Sequence, residues 1–331
     1  VNLNEYLEAV ETAIVESLQA QAPEGLEESR MLLDAGRHLA TAPGAKRARP
    51  RLVYHFGEAL GVDPADLVPI ALSGEFIHGA SLMHDDVVDA GTMRRGRPTV
   101  NARWNNSVAV LGGDVMLCIA IESLSGLPRP ITNEAVAVVA TMSRAAILEV
   151  ESRGNIDLSL DQWAAIARGK TGSLFAWCGR SPALLMGDAD AAERFQICGD
   201  TLGLAFQLAD DLKDIVSADS GKDRFSDVRN RNPSHPVLTA AARSPALREE
   251  LRALWAQERI SNEEAHDFGF KVLDTGAADA TRDAILTHVE RAFAALGPHR
   301  DSAGGRAVAD WAANLARVYL AEAEAHMRGA E

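Results

Sequence analysis

What most constrains this chain is the spacing of its apolar residues. Over long stretches they recur every three or four positions, the repeat of one helix face, and few segments show the strict alternation of a half-exposed strand. Leu3, Leu7, Val10, Ile14 and Leu18 form one such stripe. The same spacing predicts helices over residues 51–60, 67–89, 133–151, 160–168, 191–216 and 306–327. Between them fall breakers: Pro43-Gly44, Gly61 with Pro64, the run from Gly91 to Pro98, Gly126 to Pro130, Gly187, Asn232-Pro233 and Gly297-Pro298. Asp63-Pro64 suits a helix start with proline in the first helical position. No repeat, low-complexity run or clear linker interrupts the pattern. The expectation is an all-α fold, a single large helical bundle over residues 1–331.

Hydrophobic residues make up 47% of the chain and charged residues 24%, which excludes disorder as the default. A net charge of -14 repels nucleic acid and anionic lipid, so any bound anion needs a local basic pocket. Cys118, Cys178 and Cys198 match no zinc spacing and read as small buried residues in a reducing compartment. The N-terminal residues show no basic region followed by an apolar core. The most apolar stretch, Val108 to Leu124, contains Gly112, Gly113, Asp114 and Glu122 and reads as a buried helix, not a membrane span. A cytoplasmic protein with no transmembrane segment is expected.

Two aspartate clusters carry the chemistry. Asp85, Asp86 and Asp89 follow the apolar run from Phe76 to Met83, and Asp210, Asp211 and Asp214 follow that from Leu202 to Leu208. Asp85 with Asp89, and Asp210 with Asp214, are four apart and share a helix face. The first cluster lies in the last turns of a helix expected to end at Gly91, where the helix dipole is already negative. Such rule-breaking is expected at functional sites. A bound cation would relieve the repulsion, and oxygen-only ligands with phosphate suit Mg²⁺ before Zn²⁺.

Basic islands accompany the acidic clusters. Lys46, Arg47, Arg49 and Arg51 form one, Arg94, Arg95 and Arg97 a second, and Lys170 with Thr171 sits in Gly169-Lys170-Thr171-Gly172. Lysine offers phosphate a point charge and arginine a planar fork. For Arg47, Arg51 and Arg97 the alternative is neutralisation of nearby carboxylates. From the residues alone, His78 reads as a core histidine. Gly169 to Gly172 is not a P-loop, since the earlier glycine is missing and no strand precedes it.

In combination, Gly44-Ala45-Lys46-Arg47-Ala48-Arg49-Pro50, the run from Glu75 to Asp89, Met93-Arg94-Arg95-Gly96, Gly169 to Gly172 and the run from Phe206 to Asp214 resemble the trans-isoprenyl (polyprenyl) diphosphate synthase family. The likeness runs from about Leu33 to Tyr319. It implies a helical bundle of the isoprenoid synthase type around a central substrate cavity, a homodimer, and two aspartate motifs facing each other across that cavity. Asp85, Asp89 and Asp210, with Asp86, Asp211 and Asp214 near them, would hold Mg²⁺, about three ions with diphosphate bound. Arg94, Lys170 and Gln207 would grip an allylic diphosphate, with Thr171 and Gln207 placing dipoles near the developing cation. Lys46, Arg49, His78 and Arg95 would bind isopentenyl diphosphate, and Lys222 is retained from the motif after the second cluster. The implied activity is a Mg²⁺-assisted, chain-elongating head-to-tail condensation of isopentenyl diphosphate with an allylic prenyl diphosphate.

The sequence departs from the family pattern in places. Ala45 stands for the second glycine of GGKR, and GKxxGxD reads Gly221-Lys222-Asp223-Arg224-Phe225-Ser226-Asp227. Asn232 takes the place of a diphosphate-binding lysine, and Pro233 follows it. These changes leave open a non-catalytic or weakly active subunit of a heteromeric synthase. A class I terpene synthase is the other alternative, but the second DDxxD and the Lys46–Arg49 island speak against it. Ala80 and Ser81 lie about one turn before Asp85, where the resemblance implies the floor of the chain tunnel. Small residues there predict a product of C20 or longer.

Overall fold

The computed structural model describes residues 1–20, 30–42, 45–216 and 224–314. Its helices are, in order, α1 (Leu3–Ala20), α2 (Arg30–Ala40), α3 (Ala48–Leu60), α4 (Pro64–Val88), α5 (Val100–Arg103), α6 (Asn106–Glu122), α7 (Arg129–Ser152), α8 (Leu160–Ala167), α9 (Ser173–Met186), α10 (Ala189–Val216), α11 (Ser226–Arg229), α12 (His235–Arg243), α13 (Pro245–Trp255), α14 (Asn262–Asp274) and α15 (Ala277–Ala295). Residues 303–314 are also helical. The strands among the described residues are β1 (Met93–Arg94) and β2 (Arg97–Pro98), a small antiparallel hairpin. The all-α expectation holds. The expected helix over 306–327 lies partly outside the described residues, as do Gly44 and Lys222.

By contact, the chain gathers into two compact units. One comprises Val1–Val139, Trp177–Phe195 and Asp301–Gly305. The other comprises Ala140–Ala176, Gln196–Arg300 and Arg306–Glu331.

In the first unit α4 is the central element, packed by α1, α2, α3, α5 and α6. Its start follows the sequence: Asp63 is the N-cap, its carboxylate accepting from the Ala65 amide at 2.9 Å, and Pro64 opens the helix. Its burial is nearly all-round, with Leu67, Ile70, Phe76, Ile77, Ala80 and Met83 all at 1% exposure or less. A helix apolar on every side belongs in a core. In α1 the buried stripe is Tyr6, Val10, Ile14 and Leu18. Tyr6 takes the place expected of Leu3 and Leu7, which are only half-buried.

Three of these helices are joined through Arg47. Its guanidinium donates to both oxygens of Glu11 on α1, at 2.6 and 2.7 Å, and to Glu75 on α4 at 2.6 Å. It also donates to the Ala40 carbonyl at the end of α2, at 2.7 Å. Arg47 is 9% exposed and Glu75 equally so. The neutralising alternative is therefore the one realised for Arg47, and a buried ion pair is costly to break because the survivor keeps an uncompensated charge.

In the second unit α12 is packed by α8, α13, α14 and α15. It is buried from His235 to Ala241, so it shows no polar face from which to read a period. Capping boxes open α8, at Ser159 and Gln162, and α14, at Ser261 and Glu264. The Trp255 indole donates to the Val228 carbonyl at 3.0 Å, tying α13 to α11. Cys178 and Cys198 are buried as expected, but Cys118 is exposed, since it falls on the outer face of α6. Burial pushes the Cys178 thiol up to about 12. By length and composition alone α7 could cross a bilayer, with a mean hydropathy of 1.3 in its most apolar window. Its Glu134 pairs with Arg180 at 2.9 Å, and its Glu149 pairs with Lys170.

Replacing Arg47 by Met should leave Glu75 charged and buried, and urea unfolding should show a loss of about 3–5 kcal/mol. A loss below about 1 kcal/mol would mean that Arg47 does not join the three helices energetically.

Candidate functional site

The first aspartate cluster ends α4, and its three carboxylates fall into different surroundings. Asp86 is buried, Asp85 half-buried and Asp89 exposed. Asp89 is the C-cap residue, so the expected conflict with the helix dipole is present. Arg94 offsets it: its Nε lies 3.0 and 3.1 Å from the two Asp86 oxygens and its Nη2 lies 2.8 Å from Oδ1. This fork is the strong form of an arginine–carboxylate pair. The loop after α4 is fastened by Thr99, donating to the Gly91 carbonyl at 2.7 Å, and by Asn101, donating to the Asp86 and Gly91 carbonyls at 3.2 and 3.0 Å. His38 Nε2 reaches the Pro98 carbonyl at 2.8 Å.

The hairpin places Arg95. Arg95 and Gly96 are its two turn residues, with φ of 50° and 72°, the positive pair that matches a two-residue hairpin to strand twist. Arg95 and His78 both line a small pocket, open in part to solvent, with Arg47, Glu75, Leu82 and Met116. Burial holds the His78 imidazole well below its usual range, and Arg49, Arg95, Arg94 and Arg47 depress it further. His78 is thus a neutral hydrogen-bonding group within a basic cluster. Arg49 is buried, whereas Lys46 is exposed and does not line the pocket. Ala80 is fully buried. Ser81 is half-buried, its hydroxyl donating to the His78 carbonyl at 2.8 Å.

The second cluster lies in the last described turns of α10. Asp210 is exposed, Asp214 half-buried and Asp211 buried. Asp211 accepts from the Trp163 indole at 3.1 Å, the His235 amide at 2.9 Å and the Gln207 side chain at 2.9 Å. Burial pushes this carboxyl up to about 7; the amide and Gln207 bonds oppose the shift, while Asp210 and Asp214 add to it. Asp214 is held by backbone, its two oxygens accepting from the amides of Ser226 and Asp227, each at 3.1 Å. The Ser226 hydroxyl also donates to it.

Lys170 and Thr171 belong to a π-helical turn, Arg168–Gly172, inserted between α8 and α9. Such turns recur at functional sites. Lys170 pairs with Glu149, while Thr171 donates to Gln207 Oε1 at 3.0 Å. The close approach is made by Gly203, where a methyl group would come within 2.5 Å of the Gly172 backbone. Thr171, Gln207 and Asp211 thus form one hydrogen-bonded chain. Asn232 donates to Asp227 at 2.9 Å, where the family pattern has a lysine. Burial, with Asp214 and Asp211 nearby, raises the Asp227 carboxyl well above the usual range.

The donor chemistry fits Mg²⁺, for all six clustered side chains offer only oxygen. Among the described residues no three His, Cys, Asp or Glu side chains form a metal site by themselves. That is the ordinary condition of Mg²⁺, which takes one or two carboxylates and fills its remaining positions with water and substrate oxygens. Sequence reasoning missed Trp163, Glu149, Asn101 and the amides of Ser226, Asp227 and His235. None of these lies in an aspartate motif, and an amide partner leaves no trace in side-chain identity.

Residues 29–268 match the family model described as polyprenyl synthetase. The chain belongs to that family. Among relatives, this chain is 37% identical over 231 residues to the (2E,6E)-farnesyl diphosphate synthase of Mycobacterium tuberculosis (strain ATCC 25618 / H37Rv), covering 67% of this chain and 64% of that one. The match therefore spans less than two thirds of that relative. Among solved structures, a decaprenyl diphosphate synthase from Rhodobacter capsulatus superposes with a TM-score of 0.87 at 28% identity, covering 96% of this chain and 97% of that one. A polyprenyl synthase from Caulobacter crescentus CB15, complexed with calcium and isoprenyl diphosphate, gives 0.83 at 27% identity, covering 93% and 94%.

Trp163→Phe removes the indole donor to buried Asp211 and should cost about 1–3 kcal/mol in denaturant unfolding. A variant as stable as the parent would show that Asp211 does not depend on that bond.

Proposed function

We propose that this protein elongates prenyl chains, joining isopentenyl diphosphate head-to-tail to an allylic diphosphate. The observation that carries the reading is an arrangement repeated in both units. Each Asp-Asp-x-x-Asp holds its middle carboxylate with protein donors, while at least one outer carboxylate, Asp89 or Asp210, is exposed. Asp85, Asp89 and Asp210, with Asp86, Asp211 and Asp214 near them, supply the oxygen donors to cations. Mg²⁺, when bound, neutralises diphosphate charge and makes it a better leaving group.

The side chains divide the remaining work. Lys170 is drawn off Glu149 by an allylic diphosphate, and Thr171 with Gln207 turns oxygen dipoles toward the carbon that loses it. Arg94 shares its fork between Asp86 and a substrate diphosphate. Lys46, Arg49, Arg95 and neutral His78 receive isopentenyl diphosphate. The allylic C–O bond breaks, the isopentenyl double bond supplies the electron pair of the new C–C bond, and released pyrophosphate accepts the departing proton. Small residues at Ala80 and Ser81 support a product of C20 or longer. The relatives do not decide this, being named for products as different as farnesyl and decaprenyl diphosphate. Exposed Val110 and Leu111 on α6, and Val136, Ile147 and Leu148 on α7, support a homodimer.

The test is incubation with Mg²⁺, labelled isopentenyl diphosphate and, separately, C5, C10, C15 and C20 allylic diphosphates. Elongated prenyl alcohols are expected after dephosphorylation. No elongation from any starter sinks the stand-alone synthase, and a cyclised product from an allylic substrate alone supports a terpene synthase. Asp85→Asn should lower turnover about 100-fold or more, the scale of losing one preorganised electrostatic group. Ala80→Phe should shorten the product; an unchanged product profile would remove Ala80 from the tunnel floor.

A further inference from the structure

Two costs meet at Phe225. Its backbone is left-handed, φ 60° and ψ 31°, a region bulky side chains rarely enter. It stands where the family pattern has glycine, which takes that conformation without penalty. Its side chain is wholly buried. The ring meets His266 and Phe270 edge-on, at centroid distances of 5.3 and 5.4 Å, and the Arg224 guanidinium lies 4.7 Å from its centre. Room for it is made inside α14 by Gly269, where a methyl group would come within 2.1 Å of the ring. A glycine in a helix interior weakens the helix, so this one is accounted for by the ring it admits.

What the left-handed backbone does is direct successive amides to one side. The amide of Phe225 bonds the Asp214 carbonyl at 3.0 Å, and the next two amides, Ser226 and Asp227, reach the two oxygens of the Asp214 carboxylate. Amides grouped around a left-handed residue form an anion-holding nest. Here the anion belongs to the protein's own second aspartate cluster.

We propose that Phe225 is a positioning residue: its ring, seated in the slot opened by Gly269, anchors the turn whose amides orient the Asp214 carboxylate. What the orientation serves, cation binding at the second cluster, rests on the prenyltransferase reading; how Asp214 is held does not.

The test compares the full chain with Phe225→Ala, Gly269→Ala and the double variant Phe225→Gly/Gly269→Ala. Hydrogen exchange at the Ser226 and Asp227 amides is measured without substrate. The Mg²⁺ concentration that half-saturates thermal stabilisation is measured with inorganic pyrophosphate. In Phe225→Ala the two amides should exchange about tenfold faster, and half-saturation should need about tenfold more Mg²⁺, the scale of losing a group that orients a metal ligand. KM for isopentenyl diphosphate, whose proposed ligands lie in the other unit, should change less than about twofold on the same reasoning. Gly269→Ala should mimic Phe225→Ala by expelling the ring. The double variant, with glycine accepting the turn but no ring to anchor it, should stay as unprotected as Phe225→Ala, and recovery of protection there would overturn the proposal by showing that the turn holds without the ring. Unchanged exchange in Phe225→Ala overturns the proposal, as does a Gly269→Ala variant that behaves like the parent. A uniform loss of stability with the Mg²⁺ response unmoved overturns it too. Should the parent elongate no starter while the exchange pattern holds, the prenyltransferase reading falls and the anchoring of Asp214 stands.

Discussion

Crowded carboxylates repel, and a fold that gathers them must hold each one in place before any cation arrives. In this chain the middle aspartate of each cluster receives that treatment most fully. Asp86 takes the fork of Arg94, and Asp211 takes an indole, an amide and a carboxamide. Much of the nearby architecture follows from supplying these donors. The hairpin after α4 exists to return Arg94 to the helix it has just left. The first residue of α12 offers its amide, and α8 offers Trp163, to the same carboxylate. Charges left unpaired at this depth would cost several kcal/mol each, so the donors are a condition of the fold as well as of the site.

The helical class was legible because amphipathic helices announce themselves by period, and α1, α7 and α10 do so over long spans. Residues 235–295 were harder for different reasons. α12 is buried on every side and presents no stripe, and α15 is rich in alanine, whose weak hydrophobicity blurs the pattern. α13 and α14 are legible in their starts, Ser244-Pro245 and the Ser261–Glu264 box, more than in their faces. The aspartates themselves could be found from sequence because like charges one turn apart beside an apolar run break an expected rule. Their partners could not. Trp163 is 48 residues from Asp211 in the chain, and three of the donors to these aspartates are the backbone amides of Ser226, Asp227 and His235.

Asn232 shows how a local departure is absorbed. A lysine at this place would bring a cation to Asp227; asparagine brings a carboxamide, whose hydrogen bond opposes the upward shift that burial and then Asp214 and Asp211 impose on the Asp227 carboxyl. The sequence marks the change but not this partner, which answers the lost cation with a neutral donor.

The π-helical turn at Arg168–Gly172 makes the site a matter of counting. One extra residue in a helical turn rotates everything after it by about 100° relative to an unbroken helix. On that turn Lys170 meets Glu149 and Thr171 meets Gln207. Removing a single residue there, of whatever kind, would straighten the spiral and swing the side chains of α9 to another bearing. The chain's length through this segment is thus under as strict a constraint as any of its residues.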